Sequence, residues 1–287
     1  MKNKLILGTV QFGISYGINN FIGLPSENTV HAILNKAYTS GITLLDTAAA
    51  YGLAENRIGS YHALNPNQHF VINTKFSKDT SITWLDSLVN SIQSMKIERI
   101  DTIMFHSFEA YQHNKSDLKK IYAIGFPVYF KRIGVSLYTN EELEALLEDD
   151  LVTVVQLPFN LLDNQLKRGS IIERLRERKK EIHTRSCFLQ GLFFMDEAKI
   201  PEKIASVKPF LRKLKHIADE NKIDMGHLAL QYALSKDYID RVLIGVETIQ
   251  QLEKNISWAE EKIDSEILNQ VDLIDVIALE TLNPSQW

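Results

Sequence analysis

Four side chains in the first half of the sequence are complementary in chemistry: the carboxylate of Asp46, the phenol of Tyr51, the ammonium of Lys75 and the imidazole of His106. A free tyrosine gives up its proton only near pH ~10. A neighbouring ammonium stabilises the phenolate, and a carboxylate keeps that ammonium charged and in place. A phenol tuned in this way can protonate a carbonyl oxygen while the carbon accepts hydride. An imidazole facing the same point can donate a hydrogen bond to that oxygen and orient it. The four groups together lack only the hydride. An Asp–Lys pair alone is a common way to bury two charges, so the chemistry depends on all four converging.

What must position them is visible in the stretch 41–59, GITLLDTAAAYGLAENRIG. A short apolar run, 42–45, reads as a strand buried on both faces. Asp46 stands where the run ends, Tyr51 in the small-residue turn after it, and a helix begins near Ala54. The same alternation recurs along the chain, with strands predicted at 5–12, 42–45, 70–75, 101–106, 132–136, 152–157, 182–188 and 242–246. Amphipathic segments separate them. Ser26 is the expected cap of the first, whose buried face is Val30, Ile33, Leu34 and Ala37, and Gly41 its expected stop. A later one carries Ile82, Leu85, Leu88, Val89 and Ile92 on one face, and Asn140 is the expected cap of another. Eight alternations predict a closed (β/α)8 TIM barrel, a single domain over 1–287 with 264–287 as a less regular tail. An open doubly wound sheet is the alternative, but the G-x-G-x-x-G phosphate spacing is absent. In a barrel, the strand ends carrying Asp46, Lys75 and His106 share one face.

The composition narrows the setting. The 287 residues are 45% hydrophobic and 24% charged, ordinary for a globular chain able to bury a large core. The single cysteine, Cys187, leaves no internal disulfide and fits a reducing, cytoplasmic setting. A net charge of −4 argues against nucleic acid as a partner. No leader is legible in the opening residues, and no apolar run approaches the ~20 residues of a membrane span. The basic run 167–180 is interleaved with Glu173 and Glu177 and reads as a solvated helix face. The remaining histidines lack metal-ligand spacing, so no metal is expected. Trp84 and Trp258 fall on helix faces that read as core.

DTAAAYG with Glu55 behind it, the Lys of NTK and the His of IMFHS resemble, in order and spacing, the catalytic motifs of the aldo-keto reductases. The resemblance runs from LILGTVQFG through the eighth strand. It implies a barrel oxidoreductase that reduces aldehydes or ketones with NADP(H) or NAD(H), Tyr51 as general acid, Lys75 and Asp46 tuning it, and His106 placing the carbonyl. By the same resemblance the cofactor would meet Thr9, Val10 and Asp46 at the first strands, and Ser136 and Gln156 at its carboxamide. It would meet Arg185, Ser186, Phe188, Gln190 and Gly191 along the segment RSCFLQG. At the adenosine end it would meet Gly245, Val246, Glu247, Gln251 and Asn255. Leu137 stands where an Asn is common, and Arg185 where many members stack an aromatic ring. Glu247 and Gln251 stand where NADPH users place bases, a departure that leaves NADH open.

Phe12, Tyr111, Phe159 and Trp287 are the expected pocket aromatics, the last because the family's tail often covers the barrel mouth. A keto-sugar or sugar aldehyde is the substrate expected by analogy with polysaccharide-associated members, and a monomer or weak oligomer the expected state. Two readings stand beside this one. The first is a cofactor-binding regulatory barrel with little turnover. The second is an isomerase or aldolase using Lys75 as a Schiff base.

Overall fold

The computed structural model describes residues 4–76, 83–277, 282–284 and 287. The predicted strands form one closed, all-parallel barrel in sequential order, each pairing with its chain neighbours and the last with the first. The strands are β1 (Leu5–Gly8), β2 (Leu44–Asp46), β3 (Val71–Phe76), β4 (Ile100–Phe105), β5 (Phe130–Ser136), β6 (Val152–Pro158), β7 (Glu181–Arg185) and β8 (Arg241–Gly245). Helices cover the outside. They are α1 (Glu27–Thr39), α2 (Ala54–Leu64), α3 (Trp84–Met95), α4 (Phe108–Asn114), α5 (Leu118–Gly125), α6 (Asn140–Glu144), α7 (Gln165–Glu177), α8 (Lys208–Glu220), α9 (Met225–Ser235), α10 (Ile249–Glu260) and α11 (Ser265–Asp272).

The strands form because both of their faces are apolar. Along β6, Val152, Val154, Val155 and Leu157 are all fully buried, alternately inside the barrel and beneath the helices. The helices bury one stripe each, as Val30, Ile33, Leu34 and Ala37 do on α1. The Ser26 side chain accepts from the Thr29 amide at 3.1 Å and starts that helix. The helix closes at Ser40 and Gly41 stops it as expected, the Gly41 amide donating to the Tyr38 carbonyl at 3.0 Å and the Ile42 amide to the Ala37 carbonyl at 2.9 Å. Gly41 lies one step beyond at φ +85°, a left-handed conformation in which an L side chain would be strained.

Some boundaries move. β1 stops at Gly8 rather than at Phe12, because Val10–Phe12 turns into a short 3-10 helix. β7 stops at Arg185 for the same reason, a 3-10 segment Leu189–Phe194 following it. Thr139, not Asn140, caps α6, in a capping box with Glu142. The basic run is not uniformly solvated: Arg168 is buried against Asp163, and Lys180 donates to the carbonyls of Asp149 and Val152 at 2.8 Å. Ile82, expected on the face of α3, lies outside the described residues, as do parts of the 264–287 tail. Among the described residues no helix is long and apolar enough to cross a membrane.

Candidate active site

Asp46 is the last residue of β2 and lies opposite Asn73 of β3 in the ladder. Lys75, two residues along β3, therefore emerges on the same face as Asn73 and beside Asp46. Its ammonium donates to one Asp46 carboxylate oxygen and, at 3.3 Å, to the Thr47 carbonyl. Both side chains are nearly sealed from solvent, at 2% and 3% exposure. The second Asp46 oxygen accepts from Gln156 Nε2 at 2.8 Å, so the carboxylate is fixed from β3 and from β6. A buried pair this well supported holds its charges in place, whereas removing one partner would strand the other.

Tyr51 sits in the turn after β2, its amide donating to the Ala48 carbonyl at 2.9 Å. The turn is pressed against Gly13: a Cβ there would lie 1.5 Å from the Tyr51 carbonyl oxygen. Glycine is needed at that position for close approach, not for an unusual backbone angle. The phenol lies beside Lys75, whose charge acts on it and whose Nζ is 5.5 Å from the ring centroid. His106 follows β4, tied by its amide to the Phe76 carbonyl at 3.0 Å. Its ring meets that of Tyr51 edge-on, with centroids 5.6 Å apart. Carboxylate, ammonium, phenol and imidazole thus converge from three successive strand ends.

Burial pushes the Tyr51 phenol above its ordinary value, and the charges of Lys75 and Arg185 only partly pull it back. The Lys75 charge thus acts in the expected direction, and burial outweighs it. In the protein as it stands the tyrosine is held protonated. Burial works against the Lys75 charge, but Asp46 and Tyr51 outweigh it and raise the ammonium above its usual value. His106 is held at about 4, by burial first and then by the nearby Lys75 charge, and is neutral near pH 7.

These groups open into a cavity of about 680 Å3. Val10, Ser136, Arg185, Ser186, Phe188 and Gln190 line it, as do Gly191, Gly245, Glu247, Gln251 and Asn255. Arg185 is tied to Ser136 Oγ at 3.3 Å and to the Leu137 carbonyl at 3.1 Å, with its guanidinium 4.0 Å from the Tyr138 ring centroid. In the loop after β8, the Gln251 side chain accepts from the Glu247 amide at 2.7 Å. Lys254, the nearest base, pairs with Asp224 at 3.2 Å and lies 4.9 Å from the Trp258 ring centroid.

Several expectations fail. Thr9 and Val246 are fully buried and take no part in the cavity wall. β1 ends at Gly8, and the hydroxyl of Thr9 just beyond it donates to the Asp46 carbonyl at 3.2 Å. Phe12, Tyr111 and Phe159 are core residues, not pocket aromatics. Phe12 is carried under the loop by the 3-10 turn, the Tyr111 hydroxyl donates to Asp149 at 2.7 Å, and Phe159 stacks on Tyr232 at 5.4 Å. Trp287 packs against the core, and Pro284 rather than Trp287 reaches the cavity. Trp258 is buried as expected of core, yet it also forms part of the cavity wall, whereas Trp84 is only partly buried. Cys187 also lines the wall; burial pushes its thiol up, which keeps it in the unreactive protonated form.

Sequence reasoning missed Tyr16, Asn19, Asn20, Tyr138 and Phe194, which also line the cavity. Gln190 Nε2 donates to the Tyr16 hydroxyl at 3.0 Å, so the loop after β1 meets the segment after β7 over the cavity. The glycines at 13, 17 and 23 mark that loop as irregular but say nothing of what it touches.

The sequence model of the aldo/keto reductase family matches residues 4–276. The D-threo-aldose 1-dehydrogenase of a Pseudomonas species is 22% identical to this chain, over 86% of this chain and 88% of that protein. The L-glyceraldehyde 3-phosphate reductase of Escherichia coli K12 is 25% identical, over 89% of this chain and 85% of that protein. Among solved structures, the holo form of an aldo-keto reductase from Bacillus halodurans superposes with a TM-score of 0.69 at 18% identity, covering 96% of this chain and 93% of that one. At that identity the likeness is one of fold.

Proposed function

The chain belongs to the aldo/keto reductase family and is an oxidoreductase acting on carbonyl compounds, and from that premise we propose that it reduces a sugar or sugar-derived aldehyde or ketone with NADH, Tyr51 delivering the proton. The observation that carries the reading is the convergence of Tyr51, Lys75, Asp46 and His106 on one cavity wall.

The residues present fit a nicotinamide dinucleotide. Gln156 donates its amide N–H to Asp46, but its buried Oε1 accepts no hydrogen bond in the structure. A carboxamide N–H would satisfy it, and leaving it unmet costs about 1–3 kcal/mol. The Ser136 hydroxyl accepts from Arg185, which leaves its own proton to donate to the carboxamide oxygen. When bound, the dinucleotide supplies a hydride to the carbonyl carbon.

Everything else is done by the chain. His106, neutral, donates to the carbonyl oxygen and holds it against the Tyr51 hydroxyl. Tyr51 gives its proton to that oxygen as negative charge develops there. Lys75, kept charged by Asp46, stabilises the phenolate left behind until solvent reprotonates it. Sealing of the Lys75–Asp46 pair from water strengthens that stabilisation.

The support for NADH is Glu247. A carboxylate can accept from a ribose 2′-hydroxyl and repels a 2′-phosphate, and the nearest base, Lys254, is committed to Asp224. Glu247→Arg should shift the kcat/KM ratio toward NADPH by at least ~10-fold; an unchanged ratio would remove Glu247 from cofactor choice. The support for a sugar is the polar wall contributed by Tyr16, Asn19, Asn20, Tyr138 and Gln190, together with the two sugar-active relatives. NADH oxidation with a panel of aldoses, ketoses and simple aldehydes tests both parts. Tyr51→Phe should lower kcat by ~100-fold or more while leaving NADH binding in place. Wild-type-like turnover by that variant would end the assignment of Tyr51.

A further inference from the structure

We propose that Arg185 sets the oxidation-state preference of the nicotinamide site, a fixed and uncompensated positive charge that weakens binding of NAD+ relative to NADH. The inference rests on the dinucleotide reading above and concerns which form of that cofactor the protein holds.

Charge at the reacting end of the cavity does not balance. The Lys75 ammonium is neutralised by the buried Asp46 carboxylate at hydrogen-bond range. Arg185 faces the same cavity, and among the described residues no carboxylate lies within ion-pair distance of it. Its guanidinium is instead held by neutral groups: Ser136 Oγ at 3.3 Å, Ser186 Oγ at 3.3 Å and the Leu137 carbonyl at 3.1 Å. The Tyr138 ring backs it at 4.0 Å and is itself fixed, its amide donating to Glu142 at 2.7 Å and its carbonyl accepting from Arg168 at 2.6 Å. The charge cannot swing away to solvent without breaking these contacts. Its field reaches the site, since it favours the neutral form of His106 and the ionised form of Tyr51.

The Ser136 hydroxyl that accepts from Arg185 is the group proposed to read the carboxamide, so a ring held there lies beside the guanidinium. The oxidised ring carries a positive charge and the reduced ring none. A neighbouring unpaired cation therefore penalises the oxidised form alone, and partial exclusion of water enlarges the penalty. Tight NADH and weak NAD+ suit a reductase, because the spent cofactor leaves readily.

Protein-fluorescence titration of wild type, Arg185→Gln and Arg185→Lys with NADH and with NAD+ tests this. Wild type should bind NADH more tightly than NAD+ by at least ~10-fold. Arg185→Gln should shrink that ratio by ~10-fold, chiefly by tightening NAD+, and Arg185→Lys should retain most of it. A merely structural role would weaken both ligands together and leave the ratio alone; a ratio within about twofold of wild type in Arg185→Gln overturns the inference. Should that variant not fold, the wild type still decides. An NAD analogue with a neutral tetrahydronicotinamide ring should bind like NADH, and binding like NAD+ overturns the charge argument. Failure of folded wild type to bind either dinucleotide overturns the cofactor reading as well, an outcome distinct from binding both equally.

Discussion

Protonation at the site is decided side chain by side chain. Burial keeps Tyr51 protonated in the free protein, the form a proton donor needs, and His106 is neutral because burial and Lys75 hold it at about 4. A depressed imidazole is neutral above that value and charges only below it. Carbonyl reduction should therefore be insensitive to pH from about 5 to 8 and fall as the pH drops through about 4. A pH profile of kcat/KM for NADH-dependent reduction checks the sign: an acid limb centred near an ordinary histidine, about 6.5, would mean that His106 is not shielded as the structure shows. His106→Asn should raise KM and remove whatever limb the imidazole contributes. Asp46 belongs to the same accounting. Its two oxygens each accept a hydrogen bond, from Lys75 and from Gln156, which fixes the carboxylate and suits a positioning role.

Tyr51 is placed by a contact between two loops, and that contact turns on Gly13. The Tyr51 carbonyl lies where a Cβ on Gly13 would be, and the Leu53 amide reaches the Gly13 carbonyl at 3.5 Å. Gly13→Ala must push the turn outward. The expected result is a loss of stability on the order of 1–3 kcal/mol with a fall in kcat much larger than any change in NADH affinity, read by urea unfolding and steady-state kinetics. Near-wild-type kcat would show that the turn can shift without carrying the phenol off line. Such contacts mark where the sequence stops being legible. The strands could be placed because their apolar runs are short, continuous and bounded, and Asp46, Lys75 and His106 stood out because charge interrupts those runs at their ends. The direction of an aromatic side chain leaves no such trace. Phe12, Tyr111 and Phe159 are as apolar in the sequence as true pocket residues, and only the 3-10 turn after β1, the Asp149 bond and the Tyr232 stack send them into the core. Tyr16 and Tyr138 were invisible for the converse reason, since the loops after β1 and β5, far apart in the sequence, bring them to the cavity.

The barrel as a whole separates chemistry from closure. Its reacting groups gather at the carboxyl ends of the strands, while a second set of charges ties the opposite ends together. Arg132 of β5 bridges Asp101 of β4 and Glu181 of β7, Lys131 approaches Asp101 at 3.6 Å, and fully buried His183 meets Glu181 at 2.8 Å. Arg241 of β8 lies 3.9 Å from Glu181, so four strands share one network at the barrel floor. Burial alone would push the Glu181 carboxyl up, but His183 and Arg132 outweigh it and hold it at about 2. A carboxylate depressed on folding contributes stability that is complete above its unfolded value, near 4.5, and is lost as the pH falls from there toward about 2. With partial exposure screening the pairs, that contribution is on the order of 1–2 kcal/mol. Glu181→Gln should therefore lower unfolding stability by about that much at pH 7, while the difference from wild type narrows as the pH approaches 3. Reduction of the substrate carbonyl should not change, because the network lies at the far end of the strands from Tyr51. Denaturant unfolding of both proteins across that range, with NADH oxidation measured at neutral pH, decides it: a gap that stays constant on acidification would assign the loss to packing instead of charge.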